Sequence, residues 1–67
     1  MEKFTVLRRD FMSAKPEEQF SLHSIEAEDT DEAWEIAEGE IATNNSQEWL
    51  LTENELSALK LVLQKGV

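Results

Sequence analysis

The sequence predicts a small α+β domain with the element order ββαβα, in which an antiparallel sheet carries its helices on one face. Three observations lead to this prediction: two N-terminal segments alternate apolar and polar residues, an amphipathic helical pattern follows, and a helix-capping motif begins the C-terminal segment. Sixty-seven residues fit one domain, residues 1–67. A chain of this size buries only about 60% of its unfolded surface, so we expect modest stability.

The N-terminal alternation predicts two strands joined by a loop. Residues 3–10 alternate Phe4 and Val6 with polar and apolar neighbours, which predicts the first strand. Residues 12–18 contain the only proline, and we expect a loose hairpin loop there. Phe20–Ala27 is the predicted second strand.

The alternation in the second strand changes parity halfway. Phe20 and Leu22 fall on one parity, whereas Ile25 and Ala27 fall on the other. A β-bulge near His23 or Ser24 would bring all four side chains to the same face.

An acidic turn leads into the central helix. Asp29, Thr30 and Asp31 favour a turn and an N-cap, so the helix should begin near Thr30. An apolar stripe follows at helical spacing, formed by Ala33, Ile36, Ala37 and Ile41. Gly39 weakens the helix or allows a close backbone approach, and the polar residues 43–46 should end it.

The C-terminal third predicts a short strand and a second helix. Residues 48–51 place Trp49 and Leu51 on one face of a strand. Thr52 and Glu55 have the spacing of a capping box, and Gly66 suits the position after a helix C-terminus. The apolar residues that follow at helical spacing are Leu56, Leu59, Val62 and Leu63. The alternative is a final strand, giving ββαβ, because Leu59, Leu61 and Leu63 also alternate with their neighbours.

The large apolar residues outnumber the places that a small core offers. We expect Trp34 and Trp49 to lie in the core. Phe11, Leu50 and Leu61 are harder to place inside it, and any that remain exposed together would form a patch suited to self-association.

Charge is unevenly distributed along the chain. The net charge is −9, from fifteen acidic and six basic residues, and no base lies between Lys15 and Lys60, where thirteen of the acids fall. Such a surface repels nucleic acid and anionic membranes and attracts basic partners. Without cysteine, a long apolar run or a signal-peptide pattern, a cytoplasmic protein with no disulfide is expected.

Eight acids fall within residues 26–40, and they include the predicted partner-binding residues. Those six residues are Glu28, Asp29, Asp31, Glu32, Glu35 and Glu38. The alternatives are a merely solvated acidic face, a calcium site and paired catalytic carboxylates. The calcium reading lacks the ligand spacing and central glycine of an EF-hand loop. The catalytic reading lacks a nucleophile, a base and an oxyanion site arranged together, so we predict no enzyme activity.

His23 is the only histidine, and the chain has no cysteine to complete a metal site. We therefore predict that it is an ordinary sheet residue, and that the protein has neither a metal nor a cofactor.

The segment SIEAEDTDEAWEIAEGE resembles the strand, acidic turn and helix of small phage- and plasmid-borne proteins of the DpnD/PcfM-like group. The likeness covers residues 20–43 and rests on Asp31-Glu32-Ala33 and Ala37 within a hairpin-then-helix order. It implies a protein encoded by a mobile element or a bacterial accessory protein, with no chemistry to carry over.

Two functional hypotheses follow. The first is a small acidic interaction protein, a nucleic-acid mimic, whose turn and helix dock a basic nucleic-acid-binding protein without binding nucleic acid or membrane itself. The second is a structural module that self-associates as a homo-oligomer through its Leu- and Trp-rich surface.

Overall fold

The computed structural model describes residues 1–65 of the chain. Three strands and three helices alternate: β1 (Glu2–Asp10), α1 (Pro16–Gln19), β2 (Phe20–Ala27), α2 (Thr30–Ile36), β3 (Ser46–Thr52) and α3 (Glu53–Lys65). A π-helical turn over Ala37–Ile41 continues α2. The α+β class and the order ββαβα are confirmed, with α1 added as one helical turn. The prediction for Gly66 lies outside the described residues.

The sheet is antiparallel with the strand order β2-β1-β3, so β1 lies in its centre. Along β1 the side chains alternate between two faces. We call them the Phe4 face and the Leu7 face. The register places Ile25 and Thr52 beside Phe4, and Leu22 and Trp49 beside Leu7. Trp49 and Leu51 therefore share the Leu7 face, as predicted.

The predicted β-bulge in β2 is wrong. Pairing with β1 runs without interruption from Glu2 opposite Ala27 to Arg9 opposite Phe20. Ile25 therefore lies on the Phe4 face and Phe20 on the Leu7 face. The change of parity in the sequence therefore reflects a strand that supplies apolar side chains to both faces of the sheet.

The core lies on the Phe4 face, beneath α2. Phe4, Ala27 and Ala33 form a buried cluster, and Ile36 and Leu50 pack against it. The small alanine side chain lets the helix approach the sheet closely. Two further buried apolar residues are Val6 and Ala37.

The two long helices lie on different faces of the sheet, whereas the sequence prediction placed both on one. The α3 residues Leu56, Leu59 and Leu63 line a cleft together with Leu7 and Leu22 of the Leu7 face. The physical reason is that β2 is apolar on both faces, so each face offers a surface on which an amphipathic helix can pack.

Both tryptophans were predicted to be core residues, and this prediction is wrong. Trp34 and Trp49 each remain 37% exposed. Phe4 and Val6, with the alanines of β2, α2 and the π-helical turn, fill the core instead. Phe11 and Leu61 are exposed, as their poor fit to a small core suggested, whereas Leu50 is half-buried against the core.

Local hydrogen bonds hold the helix ends as the sequence predicts. Asp29 caps α2 by accepting a hydrogen bond from the Glu32 backbone N–H at 2.9 Å. At α3 the Glu55 N–H donates to Thr52 Oγ1 at 3.1 Å, and the Thr52 N–H donates to Glu55 Oε1 at 3.0 Å. Residues 53–65 form a helix and not the alternative strand, and this reciprocal capping box favours that outcome.

Two segments differ in detail from the prediction. The loop over residues 12–18 contains the single turn α1, which begins at Pro16 and is tied down by Gln19 donating to the Ser13 carbonyl at 3.0 Å. At the end of the central helix the Ala42 N–H donates to the Ala37 carbonyl at 2.8 Å, a π-helical spacing. A Cβ added at Gly39 would meet no atom within 4 Å, so no close backbone approach occurs there.

Candidate functional site

The six predicted partner-binding residues lie together on the turn after β2 and on the central helix. We call them the acidic surface: Glu28, Asp29, Asp31, Glu32, Glu35 and Glu38. All are exposed except Glu32, which is half-buried. Because the turn leads directly from an edge strand into α2, these carboxylates stand at one corner of the sheet and along the helix above it.

Two of the acids also hold the backbone. Asp29 accepts the Glu32 N–H, and Glu32 Oε1 accepts the Glu28 N–H at 3.3 Å. This pair fixes the entry to α2 and places negative charge at its N-terminus, where the helix dipole favours it. Asp29 and Glu32 therefore stabilise the start of α2, in addition to any contact that they make with a partner.

The other helical acids point away from the core. Asp31, Glu35 and Glu38 are separated by four and three residues, which places them on one side of the helix. Ala33 and Ala37 are fully buried on the opposite side. The three carboxylates therefore form a solvent-facing row about 10 Å long, given a rise of 1.5 Å per residue.

No base neutralises this row. Among residues 1–65, the ion pair with a nitrogen–oxygen distance below 4.0 Å joins Arg8 to Asp10 at 3.7 Å. Both residues lie on β1, away from the row. The last turn of α2 contains no basic residue. The row therefore has no basic partner within residues 1–65, and like charges along the helix repel one another.

A second surface, which the sequence did not locate, lies on the opposite side of the sheet. The apolar cleft, as we call it, is an open space of about 460 Å³ between α3 and the Leu7 face. The residues that line it are Leu7, Phe20, Ser21, Leu22, Leu56, Leu59, Lys60 and Leu63. The sequence signals were the parity change in β2 and the surplus of leucine in the C-terminal segment.

His23 lies half-buried on β2, where its Nε2 is 2.9 Å from Ser21 Oγ. In the part of the chain that the structure describes, no three His, Asp or Glu side chains group as metal ligands do. One open depression of about 600 Å³ contains two carboxylates, Glu2 and Glu53, beside Lys3. The hydroxyl that lines it belongs to Thr52, which accepts the Glu55 N–H in the capping box, and no histidine lies in the lining to act as its base. The absence of enzyme activity stays a prediction.

No helix within residues 1–65 is long and apolar enough to cross a membrane.

No protein-family model matches the chain, and the curated proteins and the solved structures likewise give no match. The resemblance to the DpnD/PcfM-like group therefore stays a prediction.

Proposed function

We propose that this protein is a non-enzymatic interaction protein that docks a basic, nucleic-acid-binding protein through the acidic surface. The observation that carries the proposal is the outward row of Asp31, Glu35 and Glu38, which no basic side chain within residues 1–65 pairs with. The partner is a cytoplasmic protein whose basic groove normally holds phosphates.

The spacing of the charges supports this kind of partner. One strand of duplex DNA carries a phosphate about every 3.4 Å along the helix axis. The row on α2 and the following π-helical turn places a carboxylate about every 5 Å along the helix axis. The acids of the preceding turn extend the charge beyond the helix. A groove lined with lysine and arginine therefore meets a linear series of negative charges, spaced somewhat more widely than the phosphates of one strand.

The distribution of charge also supports it. The protein's own bases, at positions 3, 8, 9, 15, 60 and 65, fall outside the turn and α2. The acidic surface thus presents one sign of charge, which raises association rates with a basic partner and suppresses pairing with acidic ones. Because the acids are exposed, we expect binding to weaken as salt shortens the Debye length.

The test is affinity capture from a bacterial lysate, with bound proteins eluted by a salt gradient and identified by mass spectrometry. The decisive variant changes Asp31, Glu35 and Glu38 to Lys. We expect it to lose the basic protein that the wild type retains. The isolated pair is then measured by titration calorimetry.

A matched control reverses Glu2, Glu17 and Glu18 to Lys, since these residues are exposed, lie outside the acidic surface and change the net charge equally. We expect this control to keep most of the affinity. Equal losses in both variants would mean that net charge alone attracts the partner. An unchanged affinity after reversal of Asp31, Glu35 and Glu38 would refute the proposal.

A further inference from the structure

We propose that the apolar cleft and the neighbouring Arg9 form a binding site for a small amphiphilic carboxylate of the fatty-acid type. The carboxylate binds the Arg9 guanidinium, and the apolar chain lies in the cleft. This site is on the Leu7 face of the sheet, whereas α2 and its acidic row pack on the Phe4 face. The proposal and the proposed function can therefore fail independently.

Arg9 is held in a defined position by three neighbours. It follows Leu7 by two positions on β1, so its side chain lies on the same face of the sheet. Its guanidinium carbon lies 4.8 Å from the ring centroid of Phe11 and 5.7 Å from that of Phe20, within the range of cation–π contacts. Its Nε donates a hydrogen bond to Gln19 Oε1 at 3.1 Å. The guanidinium is therefore oriented before a ligand binds.

The terminal nitrogens of Arg9 have no partner within residues 1–65. The hydrogen bond of its guanidinium uses Nε, and the ion pair in this range joins Arg8 to Asp10. The acids of the adjacent turn α1, Glu17 and Glu18, lie beyond ion-pairing distance of it. The terminal N–H donors thus remain available to a ligand. Two parallel N–H donors of a guanidinium match the two oxygens of a carboxylate, and such bidentate pairs are stronger than neutral hydrogen bonds.

The apolar cleft begins at a ring that Arg9 contacts. Phe20 is opposite Arg9 in the strand register, and it also lines the cleft. The rest of the lining is mainly leucine, from the sheet and from α3: Leu7, Leu22, Leu56, Leu59 and Leu63. The volume of about 460 Å³ falls within the range of about 300 to 1000 Å³ that is typical of small-molecule sites. A ligand that fits both parts is apolar along most of its length and anionic at one end.

The walls of the cleft are largely exposed to solvent. Phe20, Leu22 and Leu63 are 50%, 57% and 61% exposed. Single exposed apolar residues are ordinary, but a contiguous patch of them is typical of ligand-binding grooves and interaction surfaces. An alkyl chain covers such side chains favourably, because it removes apolar surface from water and contributes no polar group that needs a partner.

Local charge favours an anionic head group with a single charge. Fifteen of the residues are acidic, yet the cross-strand neighbours of Arg9 are the uncharged Phe20 and Gln47. Glu48, next along β3, lies on the Phe4 face. Lys60 adds a second cation to the lining of the cleft. Because the net charge of −9 repels a dianion more than a monoanion, a carboxylate is favoured over a phosphate.

An NMR titration of the full chain with decanoate tests the proposal. We expect saturable shifts of backbone amides in β2 and α3, with a Kd of about 0.1 to 1 mM for a ligand of roughly a dozen heavy atoms. Acetate has the carboxylate without the chain and should not saturate these amides. Decyltrimethylammonium has the same chain with the opposite charge, and we expect it to bind the cleft at least about 10-fold more weakly.

Arg9→Gln tests the contact with the head group. It should raise the decanoate Kd about 10-fold or more, because it removes a charge-assisted bidentate contact. It should not weaken the binding of decyltrimethylammonium. The matched control is Lys3→Gln, which removes the same charge from an exposed residue on the same face of β1, about 20 Å from Arg9. This control should change the decanoate Kd by less than about twofold, since charge at that distance is screened.

Leu63→Ser tests the contact with the apolar chain. It should raise the decanoate Kd about 3- to 10-fold, because it removes apolar surface from the lining. The matched control is Leu61→Ser on the same helix, since Leu61 is 58% exposed and lies outside the lining. The Kd of this control should stay near that of the wild type. Both leucines are largely exposed, so the amide spectra should show that both variants fold.

Several outcomes would overturn the proposal. One is the lack of saturable shifts with decanoate below its micelle concentration. Another is an equal change of Kd in Arg9→Gln and Lys3→Gln, or in Leu63→Ser and Leu61→Ser. A third is a shift of the cleft amides with protein concentration alone, which would identify a second copy of the chain as the occupant.

Discussion

The same substitution at two valines tests whether the core is centred on β1. Val6 is fully buried, between His23 and Leu50 of the neighbouring strands, whereas Val62 on α3 is 64% exposed. Val6→Ala removes two methyl groups from a closed site. Transfer and cavity terms together predict a loss of about 2 to 3 kcal/mol in the free energy of unfolding.

That loss is large for a chain of this size. A domain of this length is stable by roughly 3 to 10 kcal/mol. The midpoint of thermal unfolding of Val6→Ala should therefore fall by roughly 10 to 20 °C. Val62→Ala removes the same atoms from the solvent side of a helix, where alanine has the higher helix propensity. It should change stability by less than about 0.5 kcal/mol, with a gain as the expected sign.

The assay is urea unfolding followed by circular dichroism at low micromolar concentration, with thermal scans as a second measurement. Because both variants make the same chemical change, the difference between their free energies of unfolding measures the contribution of burial. Equal losses at the two positions would refute the assignment of the core to the Phe4 face, and so would a loss below about 0.5 kcal/mol at Val6.

The remaining predictions concern helix geometry and capping. Gly39→Ala should raise the unfolding free energy by about 0.5 to 1 kcal/mol, because a Cβ there meets open space and the backbone φ is not positive; a loss in urea unfolding would mean that the π-helical turn requires glycine. Thr52→Ala should cost about 1 kcal/mol in the same assay by removing the cap of α3, and Thr52→Ser should restore most of it. The Thr52 N–H, and then its hydroxyl, lower the pKa of Glu55 below 4.5. Since the folded-state pKa is the lower one, this stabilisation is complete above the unfolded-state pKa and is lost as pH falls through the folded value. In an NMR titration, Thr52→Ala should raise the Glu55 pKa only partway, because the backbone N–H remains; no rise at all would contradict the role of the hydroxyl.

The candidate surfaces differ in how far the sequence could predict them. The outward position of Asp31, Glu35 and Glu38 follows from helical spacing alone, because Ala33 and Ala37 occupy the opposite side of the same helix. The apolar cleft joins β2 to α3, whose facing residues lie more than thirty positions apart in the chain. Periodicity within one segment says nothing about which other segment will face it. The sequence could therefore indicate surplus apolar surface without locating it.

The amino-acid sequence was enough to predict the local elements. These elements depend on bonds and spacings within a few residues. Examples are the N-cap at Asp29, the capping box of Thr52 and Glu55, and the alternation along β1. The folded chain was needed to show that β1 is central, that β2 pairs without a bulge and that α2 and α3 lie on different faces. These features depend on contacts between distant segments. The apolar residues at both parities of β2 are compatible with two structures: a bulged strand with all of them on one face, or a regular strand with apolar residues on both faces. The uninterrupted pairing with β1 shows that β2 is the regular strand.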